Sequence, residues 1–209
     1  MNPGVRANFL PDRRFVKLRP ALQEYLGEIA RNITPHNFVS LCEDSVLPLI
    51  QDVFDRVSAD EGSIWILDPE KENLVVSYNS GPNASEIVGF KQPLAKGIVS
   101  MVVASEQAVV ENQVHKNAQH SALLDHRIGK LTHAMIVVPL YFLHRVRGVI
   151  SCVQLLDIPK RGDKAEPVAQ TKKPPGFSSK DLRLLQTASS LIRDLIDYRL
   201  LGTATGWNR

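Results

Sequence analysis

Cysteine is nearly absent: Cys42 and Cys152 are the only two in 209 residues. One falls in a stretch read as helix and the other in a stretch read as central strand. That makes neither a disulfide framework nor a zinc site, and two buried free thiols in a reducing compartment, the cytoplasm, are expected. Long apolar runs are missing as well. None approaches the ~18 residues that cross a bilayer, so no membrane association is expected. The opening MNPGVRANFLPDRRF also lacks the apolar core of a cleaved signal peptide. Aromatics are scarce, at 6%, and do not interleave with the cations, which removes the stacking platform of a nucleic-acid-binding surface. Phosphate-loop and dinucleotide fingerprints are absent, and Ser121 has no nucleophile elbow around it.

The net charge of +3 is unevenly placed. Met1–Arg19 carries an excess of four positive charges and Ile158–Gly176 an excess of three, so the remainder is at about −4. Basicity in a terminal tail and a proline-rich segment does not build an ordered nucleic-acid surface. Residues 1–14 read as a flexible basic tail and 158–176 as a mobile basic loop with four prolines.

With 44% hydrophobic residues, the chain can bury one substantial core. The densest apolar stretch is THAMIVVPLYFLHRVRGVISCVQLLD, Thr132–Asp157. Two β-branched runs flank the short turn Leu143–Arg147, which predicts an antiparallel hairpin, and apolar residues on both faces of each strand require cover on both sides. Upstream, Leu18, Leu22, Leu26, Ile29 and Ile33 recur at helical spacing, predicting a helix over 15–35 with Pro20 in its first turn. A second helix is expected over Asn37–Val57, kinked or split at Pro48. SIWIL and LVVSY read as strands and EIVGF as a third. Gly97 then opens a short helix, AVVEN is a brief strand, and residues 178–201 form the last helix, capped at Ser178 or Ser179 with Asp181 in its first turn. Residues 202–209 read as a tail. The expected class is α+β: an antiparallel sheet of five to six strands with helices on both faces and long helices at both ends.

Four separated blocks carry a family resemblance. SADEGSIWILD, GIVSMVVASEQAVV, the hairpin ending RGVISCVQLLD, and FSSKDLRLLQTASSLI stand in the order found in GAF domains, which are PAS-related small-molecule sensor modules. The resemblance covers about residues 36–201 and implies a stand-alone GAF domain that binds a small ligand between the sheet and the segment 96–128. The phosphodiesterase and cyclase branch carries an Asn-Lys-Phe-Asp-Glu signature. Phe177 and Asp181 match it, Lys160 stands at the Lys position, and Asp157 and Leu182 replace the Asn and Glu. A cyclic nucleotide is therefore only partly supported as the ligand. No cysteine lies between Val110 and Thr132, which argues against a covalent bilin. Two distant cysteines do not supply the thiol set of the free-methionine-sulfoxide reductase branch, so no enzyme is expected.

The resemblance also nominates residues. Lys96, Gly97, Ile98, Val99 and Ser100 stand where a helix start would lie over the ligand, with Phe90 before them and Asn117 and His120 in the ligand-facing segment. The plainer alternative for Gly97 is that it only makes the turn; a helix start beside Lys96 would instead receive an anion. His115, His120, His126 and His133 have no metal-ligand spacing and read as surface or pocket-lining residues. Asp125 beside His126 and Arg127 reads as a solvated charge rather than acid–base machinery. In GAF proteins terminal helices commonly pair into a dimer bundle, which implies a homodimer and a partner signalling protein. The alternative is a degenerate domain with a filled pocket, used for dimerisation or docking. Met101, Leu123 and Leu124 would fill that pocket if they point inward.

Overall fold

A computed structural model describes residues 13–157 and 173–206. Its elements run α1 (Arg13–Arg31), α2 (Phe38–Leu41), α3 (Glu43–Arg56), β1 (Glu61–Leu67), β2 (Asn73–Asn79), α4 (Ala84–Ile87), β3 (Lys91–Pro93), α5 (Ile98–Ser105), β4 (Val109–Glu111), α6 (Leu123–Ile128), β5 (Lys130–Phe142), β6 (Arg145–Asp157) and α7 (Ser179–Thr205), with a 3₁₀ turn at Val114–Lys116. The strands form one six-stranded sheet in the order β3-β2-β1-β6-β5-β4, and every neighbouring pair is antiparallel.

The hairpin expected at Thr132–Asp157 is the centre of this sheet. Its strands are longer than the apolar runs, and Phe142 pairs with Arg145, so the turn is only Leu143–His144. Both turn residues have positive φ, 52° and 59°, the backbone that matches the right-handed twist of a two-residue hairpin. Neither is a glycine, and α7 holds the turn in place: the Leu143 N–H donates to Asp197 Oδ1 at 2.7 Å. Gly148 is required by a close approach. A Cβ there would stand 1.9 Å from the Trp65 carbonyl oxygen on β1.

Strand alternation sends successive side chains to two different layers. Ile64, Ile66, Ile136, Val138, Ile150 and Cys152 face α2, α3 and α7 in an apolar cluster with Phe38, Phe54 and Leu185. Trp65, Val76, Met135, Val137 and Val149 face the opposite way, under α5 and the segment that leads to α6. Ser178 caps α7 through a reciprocal capping box with Asp181. Asn112 ties the end of β4 to this cap: its Nδ2 donates to the Phe177 carbonyl at 2.9 Å and its Oδ1 accepts from the Phe177 N–H at 2.8 Å.

Several local expectations are corrected. EIVGF is no strand: Ala84–Ile87 is a helical turn, and the edge strand is Lys91–Pro93. Ile87 is an anchor of the second core, so its burial rather than β propensity decides this segment. The second helix breaks at Cys42, not at Pro48, which sits inside α3. Pro48 removes one backbone hydrogen bond, and burial of Ile50, Val53 and Phe54 offsets that loss. The first helix begins before Phe15 and ends at Arg31, which puts Pro20 mid-helix. The last helix continues to Thr205, into the expected tail. The expected flexible tail lies outside the described residues apart from Arg13 and Arg14, and so does the expected mobile loop apart from residues 173–176.

Candidate functional site

On the second face of the sheet, polar residues interrupt the apolar layer at one end. Glu61, Ser63 and Trp65 alternate along β1, and Ser151, Val153 and Leu155 along β6. They form the floor of a cavity of about 50 Å³. Its roof is Gly97, Ile98 and Val99 at the start of α5. Its far wall is His120, Ser121, Leu124 and Asp125, and Gln92, Thr132, Met135, Ile87 and Ile128 complete the lining.

The polar lining is largely hydrogen-bonded within itself. Trp65 Nε1 donates to Ser151 Oγ at 2.9 Å, and Asn79 Nδ2 donates to Ser63 Oγ at 2.9 Å. Gln92 Nε2 donates to the Lys96 carbonyl at 3.1 Å, which fixes the loop that leads into α5. Gly97 takes φ 95°, a conformation that a side chain rarely adopts, and so aims the helix at the sheet. Asp125 is the hub of the far wall. Its Oδ2 accepts from His120 Nε2 and from the Thr132 N–H, both at 3.0 Å, and its Oδ1 accepts from Thr132 Oγ1 at 2.6 Å. Burial works to raise the Asp125 pKa, but these hydrogen bonds from His120 and Thr132 outweigh it and hold the carboxyl below its ordinary value.

Glu61 is different. It is 2% exposed, and Oε1 accepts from the Asn83 N–H at 3.1 Å and from Asn83 Nδ2 at 2.6 Å. Its Oε2 has no hydrogen-bond partner among the described residues. Among those residues, no lysine or arginine lines the cavity.

The nominated residues separate into two groups. Gly97, Ile98, Val99 and His120 line the cavity. Phe90 is buried beside it, edge-on to Trp65 at 6.2 Å between ring centroids. Lys96 is exposed and off the lining, Ser100 donates its hydroxyl to the Pro93 carbonyl at 3.2 Å, and Asn117 bonds Glu111 Oε2 at 2.9 Å. Asp125 is no solvated charge: it is 4% exposed, because α6 turns it onto Thr132. Leu124 lines the cavity, whereas Met101 and Leu123 are 36% and 51% exposed and do not fill it. His115 and His133 stack outside the cavity, with centroids 6.2 Å apart. Burial first, then repulsion from Lys173 and His115, holds the His133 pKa below its ordinary value.

Glu61, Ser63, Trp65, Ser151 and Thr132 were not anticipated. The available signal was the period of two in EGSIWIL, where polar residues fall on the face opposite Ile64 and Ile66. Both cysteines are buried in the other core, which raises both thiol pKa values, that of Cys42 to about 12.

A GAF domain family model matches residues 41–197, and the chain belongs to that family. GAF domains are in general sensor or regulatory domains. No curated protein sequence matches the chain at a significant level. Among solved structures, the GAF domain of an Acinetobacter phosphoenolpyruvate-protein phosphotransferase is 20% identical, covers 90% of this chain and 95% of its own, and superposes with a TM-score of 0.56. The equivalent domain from Coxiella burnetii is 15% identical, covers 88% and 96%, and has a TM-score of 0.57. Free methionine-R-sulfoxide reductase from Neisseria meningitidis, solved with its substrate, is 17% identical, covers 95% and 96%, and has a TM-score of 0.53. At these identities the likeness shows a shared fold. Among the described residues, no helix is long and apolar enough to cross a membrane.

Proposed function

We propose that this GAF domain is a sensor that binds a small ligand in the cavity between β1, β6 and the start of α5, and signals through paired terminal helices. The observation that carries the reading is the concentration of buried polar groups around one cavity. Glu61, Ser63, Gln92, Asp125, Thr132 and Ser151 are all under 6% exposed and all line it. Burying polar side chains is costly unless they are matched, and the core on the opposite face of the sheet is built mainly from apolar side chains.

A cyclic nucleotide is the less favoured ligand for this form of the protein. Drug-sized ligands occupy roughly 300–1,000 Å³, and the cavity of about 50 Å³ has no lysine or arginine among its described lining residues to meet a phosphate. The same small volume favours the second reading, a domain that docks or dimerises without a ligand. The reductase chemistry of the Neisseria relative is not supported, because both thiols lie behind the sheet and away from the cavity. Buried free thiols suit a reducing compartment, and we place the protein in the cytoplasm.

The terminal helices supply the route out. Leu18, Leu22 and Tyr25 on α1, and Leu191, Leu195 and Tyr198 on α7, are between 40% and 69% exposed. They recur every three or four residues, the spacing of a helix-pairing seam. A homodimer through this seam would couple the cavity to a partner signalling protein.

The test is a thermal-shift titration of the whole chain with cyclic and linear nucleotides, amino acids and 2-oxoglutarate, alongside light scattering. A saturable rise in melting temperature, lost when Leu124→Trp fills the cavity, is the expected result, because only binding to the native state stabilises it. A flat response from a dimeric protein would replace the sensor by the docking reading.

A further inference from the structure

We infer that the ligand of this cavity is a small organic cation, a primary ammonium ion on a short apolar tail, held by the Glu61 carboxylate. This rests on the sensor reading above and names its ligand class.

The argument begins with an unmatched charge. Glu61 is 2% exposed on a central strand, and only one of its two oxygens has a partner. A carboxylate buried in this way carries a desolvation penalty that a structure normally offsets with a cation or further donors. For Oε2, which lies against the Gly81 backbone, the described surroundings offer neither. Asn83 meets Oε1 alone, and the cavity's other carboxylate, Asp125, already accepts three hydrogen bonds.

The remaining lining sets the size and character of the ligand. A water-sized group needs about 10–15 Å³ of such space, so a cavity of about 50 Å³ takes a head and tail of only a few heavy atoms. Ile87, Ile98, Leu124 and Met135 supply apolar walls for the tail. Trp65 lines the same space and presents an aromatic ring, whose face attracts cations. An anionic ligand would add like charge to two buried carboxylates. A neutral one would leave Glu61 uncompensated.

The experiment uses n-propylammonium chloride as the probe on the intact chain. n-Propanol, sodium propionate and sodium chloride at equal ionic strength are its counterparts. Propylammonium is expected to raise the melting temperature saturably, with no rise from the others. A charge-assisted hydrogen bond supports a loss of affinity of at least about tenfold in Glu61→Gln, which keeps an oxygen for Asn83. Leu124→Trp, at a half-exposed wall position, should abolish the response without touching the carboxylate. It serves as the second variant if Glu61→Gln folds poorly. Propylammonium acting no differently from sodium chloride overturns the proposal, and so does undiminished binding to either variant. Saturable binding of propanol, propionate, a nucleotide or 2-oxoglutarate, lost in Leu124→Trp, overturns the ammonium class while leaving the sensor reading intact. No response to any compound of any charge removes both.

Discussion

The two faces of the central sheet are made from the same strands and differ in almost everything else. On one, Ile64, Ile66, Ile136, Ile150 and Cys152 lie under α3 and α7 in a predominantly apolar layer, with Gln154 and Ser189 buried at its margins. On the other, Glu61, Ser63, Trp65 and Ser151 alternate with them, one residue out of step, around a cavity. The first face is stabilised by apolar burial and close packing; Gly62 there lies so close to Phe54 that a Cβ would stand 2.1 Å from the ring. The second gives up part of that burial for hydrogen-bonded polar groups and one unmatched carboxylate. The difference teaches that the apolar face holds the fold, and it is the other face that the proposed ligand would occupy.

Perturbing each face should separate these roles. The largest effect is expected from Phe54→Ala, which opens a void in the dry core and should cost about 3–5 kcal/mol in urea unfolding. A loss below about 1 kcal/mol would contradict the division of labour. Next is Asp125→Ala, which strands the Thr132 N–H and hydroxyl and should cost about 2–3 kcal/mol.

The same residue predicts a pH dependence. The folded pKa of Asp125 lies below its ordinary value, so its contribution is fully present above the unfolded pKa of about 3.9 and lost as pH falls through the lower folded value. Asp125→Asn should flatten the acid limb of the stability curve below about pH 4 and change little near neutrality in slope. An unaltered acid limb would remove Asp125 from the account.

Glu61→Gln should act in the opposite direction. Removing an unmatched buried charge is expected to raise unliganded stability by about 1 kcal/mol, while weakening ligand binding. A destabilised variant would mean that both oxygens are structurally employed. The smallest effect on monomer stability is expected from Leu195→Glu, on the outer side of α7. It should lie within about 0.5 kcal/mol in dilute protein, yet convert the proposed dimer to a monomer by light scattering.

Much of the architecture was legible before any coordinates. The β-branched runs of Ala134–Phe142 and Gly148–Leu156 read directly as the central hairpin, and four spaced blocks pointed to the family. The segment 84–93 misled, because EIVGF has strand composition but its register follows from where Ile87 and Phe90 find a core. The site was only half legible. Gly97, Ile98, Val99 and His120 were accessible through the resemblance, whereas Lys96 turned out exposed and Glu61 was hidden within the polar end of a helix–strand connection.

By itself, then, the chain's pattern determined the central strands and the long helices, the two-sided cover of the hairpin, and a cap for α7 at Ser178 or Ser179. Those depend on local propensity and on periodicity along the backbone. Only the tertiary structure decided which alternate residues of β1 and β6 share a cavity, that His120 and Thr132 converge on Asp125, and that Glu61 is buried with one oxygen unmatched. Each of these joins residues distant in sequence, or depends on solvent being excluded from all sides at once, and no linear spacing encodes either.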